Sequence, residues 1–401
     1  MGIVNQIADK TYYVGASDRR IALFENVYPL DDGVSYNSYI IKDEKTCLMD
    51  AADDSVVKLF LENIAATLDG RDLDYVVVDH MEPDHGASVV DVLEKYPNAK
   101  IVTNAKALMM FNQFFDFDVT NRSIIVKEGD TLELGDHTLH FVMAPMVHWP
   151  EVMMTYDDKS KILYSADAFG TFGALSGNLF ADNVYKADEW KGEARRYYTN
   201  IVGKYGVQVK LALAKAAKLD IQTICSLHGP IWRKNIGEFI DLYSKWANYE
   251  AEDNEVVIIY GSIYGHTARA CDLLASELNK LGVYHIKMYD ASKTDVSYLL
   301  AETFRCSHIV IASSSYNAGI FTPMECYLQE LLTHNVQNKK VAMIENGSWA
   351  PSAGNCITKA MESLKNITIL SDRITIKGDI KQAGADSIVQ LAQIICESLK
   401  A

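Results

Sequence analysis

At 401 residues, the chain is long enough for two or three domains of ordinary size, each able to bury about two-thirds of its unfolded surface. Apolar residues at 49% and charged residues at 23% describe a globular composition, and a net charge of -15 opposes any general attraction to nucleic acid or an anionic membrane. No apolar run approaches the roughly 20 residues of a membrane span, and the amino terminus lacks a signal-peptide pattern, so the expected compartment is the cytoplasm. The seven cysteines are scattered and never spaced CxxC, which points to buried reduced thiols rather than a disulfide framework or a rubredoxin-type centre.

In chain order, Tyr12 to Val14, Ile21 to Glu25, Tyr36 to Ile41 and Thr46 to Met49 read as short strands. Asp53 and Asp54 then precede Val56, Val57, Leu59, Phe60, Ile64 and Leu68, the spacing of an amphipathic helix with acidic residues at its positive end. The β-branched run Leu73 to Val78 is a buried strand, and behind it stands His80-Met81-Glu82-Pro83-Asp84-His85. Pro83 lacks an amide proton and biases its predecessor away from helix, so His80 to His85 is expected as a loop. Helices over Gly86 to Tyr96 and Ala105 to Phe115 surround a strand at Lys100 to Thr103.

From Ser123 to Ala144 the pattern turns to strands with Gly and Asp turns, ending at His148-Trp149-Pro150. The hairpin Val152 to Tyr156 and Lys161 to Ser165 ends at Asp167, and a helix, Val207 to Leu219, leads to the strand Ile221 to Ser226, which ends at His228-Gly229-Pro230. Taken singly, His148 and His228 read as satisfied loop histidines and Asp167 as a turn cap. Taken together, a run of two His and two carboxylates followed by His, Asp and His, each at a strand end, forms a mixed nitrogen and oxygen ligand set suited to iron, manganese or zinc. His137 and His140 lack such loops and read as structural.

That order resembles the metallo-β-lactamase superfamily over roughly residues 1 to 250, and implies its αββα sandwich. The usual HxHxDH appears here with Glu82 in place of the second histidine, a harder and more anionic set that favours an iron pair over zinc.

After a polar stretch, Lys245 to Asn254, the boundary is placed at 250/251. Glu255 to Tyr260 is a strand, and Gly261-Ser262-Ile263-Tyr264-Gly265-His266-Thr267 leads into a helix through about Leu281, a strand-to-helix turn of the kind that meets a phosphate. It matches neither GxGxxG nor GxxxxGK. Strands at Tyr284 to Tyr289, His308 to Ala312, Lys340 to Glu345 and Arg373 to Ile376 alternate with helices near Val296 to Thr303, Pro323 to Leu332, Asn355 to Leu364 and Ala385 to Leu399. This alternation specifies a doubly wound parallel five-stranded sheet with its ligand at the strands' carboxyl ends. Two more loops fall there, Ser313-Ser314-Ser315-Tyr316-Asn317-Ala318-Gly319 and Asn346-Gly347-Ser348-Trp349-Ala350, with aromatic faces for a ring system. This half resembles flavodoxin and implies FMN, although Tyr264 stands where its phosphate loop usually has threonine.

The two halves together resemble a flavodiiron protein of the minimal two-domain form, 1–250 followed by 251–401. The resemblance implies that His80, Glu82 and His148 hold one iron, that Asp84, His85 and His228 hold the other, and that Asp167 bridges them. It implies reduction of dioxygen to water or of nitric oxide to nitrous oxide, rubredoxin or a reduced deazaflavin as electron donor, and a head-to-tail homodimer or a dimer of such dimers. Tyr197 and Trp149 are expected to donate hydrogen bonds or to pack behind the ligands. The competing reading is a zinc hydrolase of the lactamase or glyoxalase type with a regulatory flavodoxin half, which metal analysis separates.

Overall fold

The computed structural model describes residues 2–401. The chain divides into two compact units, Met1–Tyr198 with Tyr205–Ser244, and Thr199–Lys204 with Lys245–Ala401. Among the described residues, no helix is long and apolar enough to cross a membrane.

The first unit is built on two sheets. Seven strands run in the order Asn5–Ala8, Thr11–Tyr13, Tyr39–Lys42, Thr46–Met49, Tyr75–Val77, Lys100–Thr103 and Ser123–Ile125, and five in the order Thr131–Glu133, Thr138–Met143, Met153–Asp157, Ile162–Tyr164 and Thr223–Cys225. Because strand side chains alternate, one face of each sheet is free to meet the other. Tyr39, Ile41, Cys47, Met49, Val77 and Val102 share a core with Leu139, Phe141, Met153, Ile162, Tyr164 and Cys225. The intervening Ile40, Leu48 and Val76 are also buried, and the helix Val57–Leu68 lies against the strand Tyr39–Lys42. Burial on both faces of the sheet is what gives the αββα layering.

Three local readings change. The expected strand Tyr36 to Ile41 is two strands, Val34–Tyr36 and Tyr39–Lys42. Between them the buried Asn37 side chain donates to the Ser226 and Gly229 carbonyls at 2.9 and 2.8 Å, and Ser38 Oγ donates to the Asp50 carbonyl at 2.9 Å. The loop expected over His80 to His85 closes early, because Pro83 opens a helical turn, Pro83–Gly86, followed by Val89–Lys95 in place of one helix from Gly86. Glu82 is extended, as a residue before proline should be, but the first helical position needs no amide proton, so proline starts a helix as readily as it ends one. Ile21 to Glu25 shortens to Leu23–Phe24, paired with Tyr28–Pro29.

The second unit carries a parallel sheet in the order Ile286–Asp290, Asp253–Gly261, Cys306–Tyr316 and Lys340–Asn346, with Thr368–Ile369 and Ile374–Ile376 sharing the fifth position. The chain reverses direction across the sheet beside the strand Asp253–Gly261, which opens a crevice at the carboxyl ends. The segment read as a loop over Ser313 to Gly319 is largely strand: Cys306–Tyr316 runs on and folds back through Asn317 and Ala318, both at positive φ, into Gly319–Ile320. Two left-handed residues match the twist a tight hairpin needs.

His308 is buried on the strand Cys306–Tyr316 between Ser307 Oγ at 2.7 Å and Ser398 Oγ at 3.0 Å. Burial, with the Lys340 charge, pushes it down to about 4. The fold therefore holds a neutral imidazole, whereas the unfolded chain takes up a proton near 6.5, so stability present above pH ~6.5 is lost as pH falls toward ~4. Urea unfolding followed from pH 7 to 4.5 should show the midpoint falling less steeply in His308→Gln than in the parent chain; equal slopes would remove His308 as the cause.

Candidate functional site

The first unit's strand ends converge. Asp50, just past Thr46–Met49, accepts the amides of Asp79 at 2.8 Å and His80 at 3.2 Å, which fixes the start of the His80 loop. Around it, seven side chains form two groups. Glu82 Oε2 lies 3.1 Å from His80 Nε2 and 2.9 Å from His148 Nε2, and Asp167 Oδ2 is 3.0 Å from His148 Nε2 and 3.4 Å from His80 Nε2. On the other side Asp84 Oδ2 is 3.3 Å from His85 Nε2 and 3.2 Å from His228 Nε2, and those two nitrogens are 3.0 Å apart. Asp167 Oδ1 faces this second group, 3.2 Å from His85 and 3.6 Å from His228. One carboxylate thus presents an oxygen to each group.

Separations of 2.9 to 3.6 Å are those of donor atoms sharing one cation at bond lengths of about 2.1 Å. Asp84 Oδ1 and Oδ2 and Asp167 Oδ1 are buried without a hydrogen-bond partner, which is costly unless a cation satisfies them. The groups His80, Glu82, His148, Asp167 and Asp84, His85, His228 therefore fit two metal ions.

The imidazoles are oriented from behind. His228 Nδ1 is 2.8 Å from the Ser35 carbonyl, which can only accept, so its proton sits on Nδ1 and Nε2 keeps a lone pair for the site. His80 Nδ1 is 2.8 Å from Glu151 Oε1. Burial raises the Glu151 carboxyl, but the His80 hydrogen bond and charge and the Met81 amide outweigh it and hold it low, so it too accepts. Burial works against charge on His148, yet its bonds to Asp167 and Glu82 push it up to about 9. Burial opposes ionisation of Glu82 and Asp167, and the surrounding histidines reverse that and hold both carboxyls low. Gly229, at φ +76, is required beside His228: a Cβ there would meet Thr171 Oγ1 at 2.0 Å.

Tyr197 is fully buried with its ring 5.6 Å from His228, and its hydroxyl has no hydrogen-bond partner. Trp149 packs edge-on against His80 at 5.4 Å. A cavity of about 400 Å³ lined by Phe24, Glu25, Tyr36, Glu82 and Asp84 opens beside the ligands. Burial of the Glu25 carboxyl and the Glu82 charge raise Glu25, although the residue as a whole is exposed and solvent tempers the effect. His137 pairs with Asp157 at 2.8 Å and His140 with Asp158 at 3.2 Å, both away from the ligand groups.

In the second unit a cavity of about 420 Å³ is lined by Ser262, Ile263, Tyr264, His266, Thr267, Ser314, Ser315, Tyr316, Asn317, Ala318, Asn346, Gly347, Ser348 and Trp349. Gly265 and Gly319 shape its turns without lining it. Ser315 Oγ is occupied by the Ser352 and Ala353 amides at 2.8 and 3.1 Å. Both polar ends of the Asn346 amide bond Gly378. Tyr264 and Trp349 are 90% and 93% exposed, flat apolar surfaces with nothing stacked on them.

A family model described as the ODP family beta lactamase matches residues 34–229. An uncharacterized protein of Methanocaldococcus jannaschii is 35% identical over 330 residues, 81% of each chain. The anaerobic nitric oxide reductase flavorubredoxin of Vibrio vulnificus is 31% identical over 348 residues, 86% of this chain and 70% of that one. Rubredoxin oxygen:oxidoreductase from Desulfovibrio gigas superposes with a TM-score of 0.91 at 26% identity, covering 99% of both chains. The chain belongs to the flavodiiron family. The flavodiiron protein from Giardia intestinalis superposes equally broadly, with a TM-score of 0.90 at 25% identity over 100% of this chain and 99% of that one.

Within this flavodiiron chain, the residues that sequence reasoning passed over are the supports, Asp50, Glu151 and Ser35, and the cavity residue Glu25. Asp50 carried a signal, since it too is an acid at a strand end. Ser35 acts through a backbone carbonyl that any residue could supply. Glu151→Ala leaves His80 Nδ1 without its acceptor, and iron retained after anaerobic dialysis against a chelator should correspond to an affinity about 10- to 100-fold lower than in the parent chain. Unchanged iron affinity would show that packing against Trp149 alone orients His80.

Proposed function

We propose that this chain reduces dioxygen to water, nitric oxide to nitrous oxide, or both, at a diiron site in residues 1–250 fed by FMN held in residues 251–401. The observation that carries the reading is Asp167, whose two oxygens face two separate ligand groups 3.0 to 3.6 Å away. In this reading His80, Glu82 and His148 hold one iron, Asp84, His85 and His228 hold the other, and Asp167 bridges. FMN occupies the cavity between Tyr316 and Trp349, its phosphate at the turn Ser262 to Thr267, with Gly265 and Gly319 letting the backbone approach. When bound, the pair of ferrous ions would supply two electrons between them and a reduced FMN two more, which meets the four that dioxygen needs to become water and exceeds the two that couple two nitric oxide molecules.

The chain's own groups prepare that chemistry. Glu82, Asp84 and Asp167 bring three carboxylates against two cations, which stabilises a charged pair in a buried place. Glu151 and the Ser35 carbonyl hold two imidazoles in the tautomer that points a lone pair inward. Burial holds the Tyr197 hydroxyl well above its ordinary range, so it stays protonated and able to donate to a small ligand. Trp149 covers His80 and keeps bulk water from one side of the site.

Rubredoxin or a reduced deazaflavin is the proposed electron donor, and the cytoplasm the proposed compartment. The partners proposed include a second copy, head to tail, so that one subunit's flavin serves the other's irons, with a dimer of dimers as the larger form. Sedimentation at working concentration should give a dimer or tetramer; a monomer with full turnover would overturn that arrangement.

Anaerobic purification should yield about two irons and one FMN per chain, and zinc without iron would favour the hydrolase reading. With one reduced donor, consumption of each gas should be compared side by side, and activity with neither would overturn the reductase reading. Asp167→Ala should lower gas reduction by at least about 100-fold while leaving reduction of FMN by the donor intact. Undiminished turnover would remove Asp167 from the bridging role.

A further inference from the structure

The flavin cavity lacks a feature its ligand calls for. A phosphate monoester carries about -1.5 to -2 at neutral pH, whereas the exposed amides of a helix start offer the equivalent of about half a positive charge. No lysine or arginine lines the cavity, and His266 is the one lining side chain able to carry a full positive charge.

His266 opens the 15-residue helix His266–Lys280, behind Gly265 at φ +90, whose amide donates to Ser262 Oγ at 3.1 Å. Its Nδ1 lies 3.2 Å from Asp379 Oδ1. Asp379 is itself fixed: it accepts the Ile380 amide at 2.8 Å, and Arg269 Nη1 reaches its two oxygens at 3.2 and 3.0 Å. The turn that carries it is tied to the cavity wall by the reciprocal bonds of Asn346 with Gly378, at 2.9 and 3.0 Å. Asp379 and Arg269 are the charged groups that face this imidazole, one from the turn and one from its own helix.

We propose that Asp379 and Arg269 position His266 as the cationic group that receives the flavin phosphate, so that the cavity selects phosphorylated over unphosphorylated flavin. This rests on the reading of the cavity as an FMN site. With Nδ1 paired to Asp379 Oδ1 at 3.2 Å, Nε2 is the nitrogen left for the ligand. A phosphate dianion accepts and cannot donate, so Nε2 must also carry a proton. The ring then acts as an imidazolium between two anions, while the Arg269 charge is spent on Asp379.

The test uses the full-length chain stripped of flavin, titrated with FMN and with riboflavin by fluorescence quenching at one pH. The parent chain should prefer FMN by at least about tenfold. His266→Gln should lower that ratio about tenfold with riboflavin affinity unchanged, and His266→Lys should restore it. Asp379→Asn should lower the ratio by less than His266→Gln does, again with riboflavin affinity unchanged. His266→Gln with an unchanged ratio, or with both flavins weakened equally, would overturn the assignment. A parent chain that binds neither flavin would overturn the FMN reading of the cavity instead.

Discussion

The first unit depends on one buried carboxylate. Asp167 is fully buried with Oδ2 set against His148 and His80 and Oδ1 against His85 and His228. Hydrogen bonds alone do not satisfy this cluster: His228 turns its Nδ1 proton outward to Ser35, and both Asp84 oxygens are buried without a hydrogen-bond partner. The arrangement makes sense as a frame for two cations, with nitrogen and oxygen donors gathered in two groups.

Everything that delivers Asp167 follows from the sandwich. Ile162–Tyr164 and Thr223–Cys225 run parallel, so Asp167 and His228 leave the second sheet at the same end of its strands. Thr46–Met49 and Tyr75–Val77 are also parallel, which brings Asp50 and His80 together in the first. The shared core of Tyr39, Met49, Val77, Phe141, Tyr164 and Cys225 fixes the distance between the sheets, and with it the distance between ligands supplied by each. Buried polar groups then tie the loops: Asn37 holds the Ser226 to Gly229 turn, and Asp50 the Asp79 to His80 turn. A rigid scaffold with its chemistry on anchored loops suits a metal pair, whose donors must be held within a few tenths of an ångström.

The second unit solves a different problem, that of offering flat faces and amides to a large planar ligand. Small residues at the ends of three parallel strands clear the cavity, and exposed Tyr264, Tyr316 and Trp349 border it. Several polar residues there serve the wall itself. Ser315 caps the helix Ala353–Glu362, and Asn346 anchors the turn that carries Asp379.

The sequence by itself determined which nitrogen and oxygen donors stand at the strand ends and in what order, the alternation that makes the second sheet parallel, and the glycine- and hydroxyl-bearing turn ahead of the helix His266–Lys280, because each is local: a strand end, a spacing, a glycine beside a hydroxyl. It also made His137 and His140 structural, and both pair with nearby aspartates. It misjudged Pro83, where the same missing amide proton that ends a helix starts one, and Ser313 to Gly319, where a strand continues past the sheet it belongs to. Only the tertiary structure decided which oxygen of Asp167 meets which histidine, that Glu151 and Ser35 lie behind the rings, and that Asp379 reaches His266 from 113 positions further along the chain. These are contacts between segments that the fold, not the spacing, brings within hydrogen-bond reach, and a polar residue carries no local mark of the distant partner it will meet.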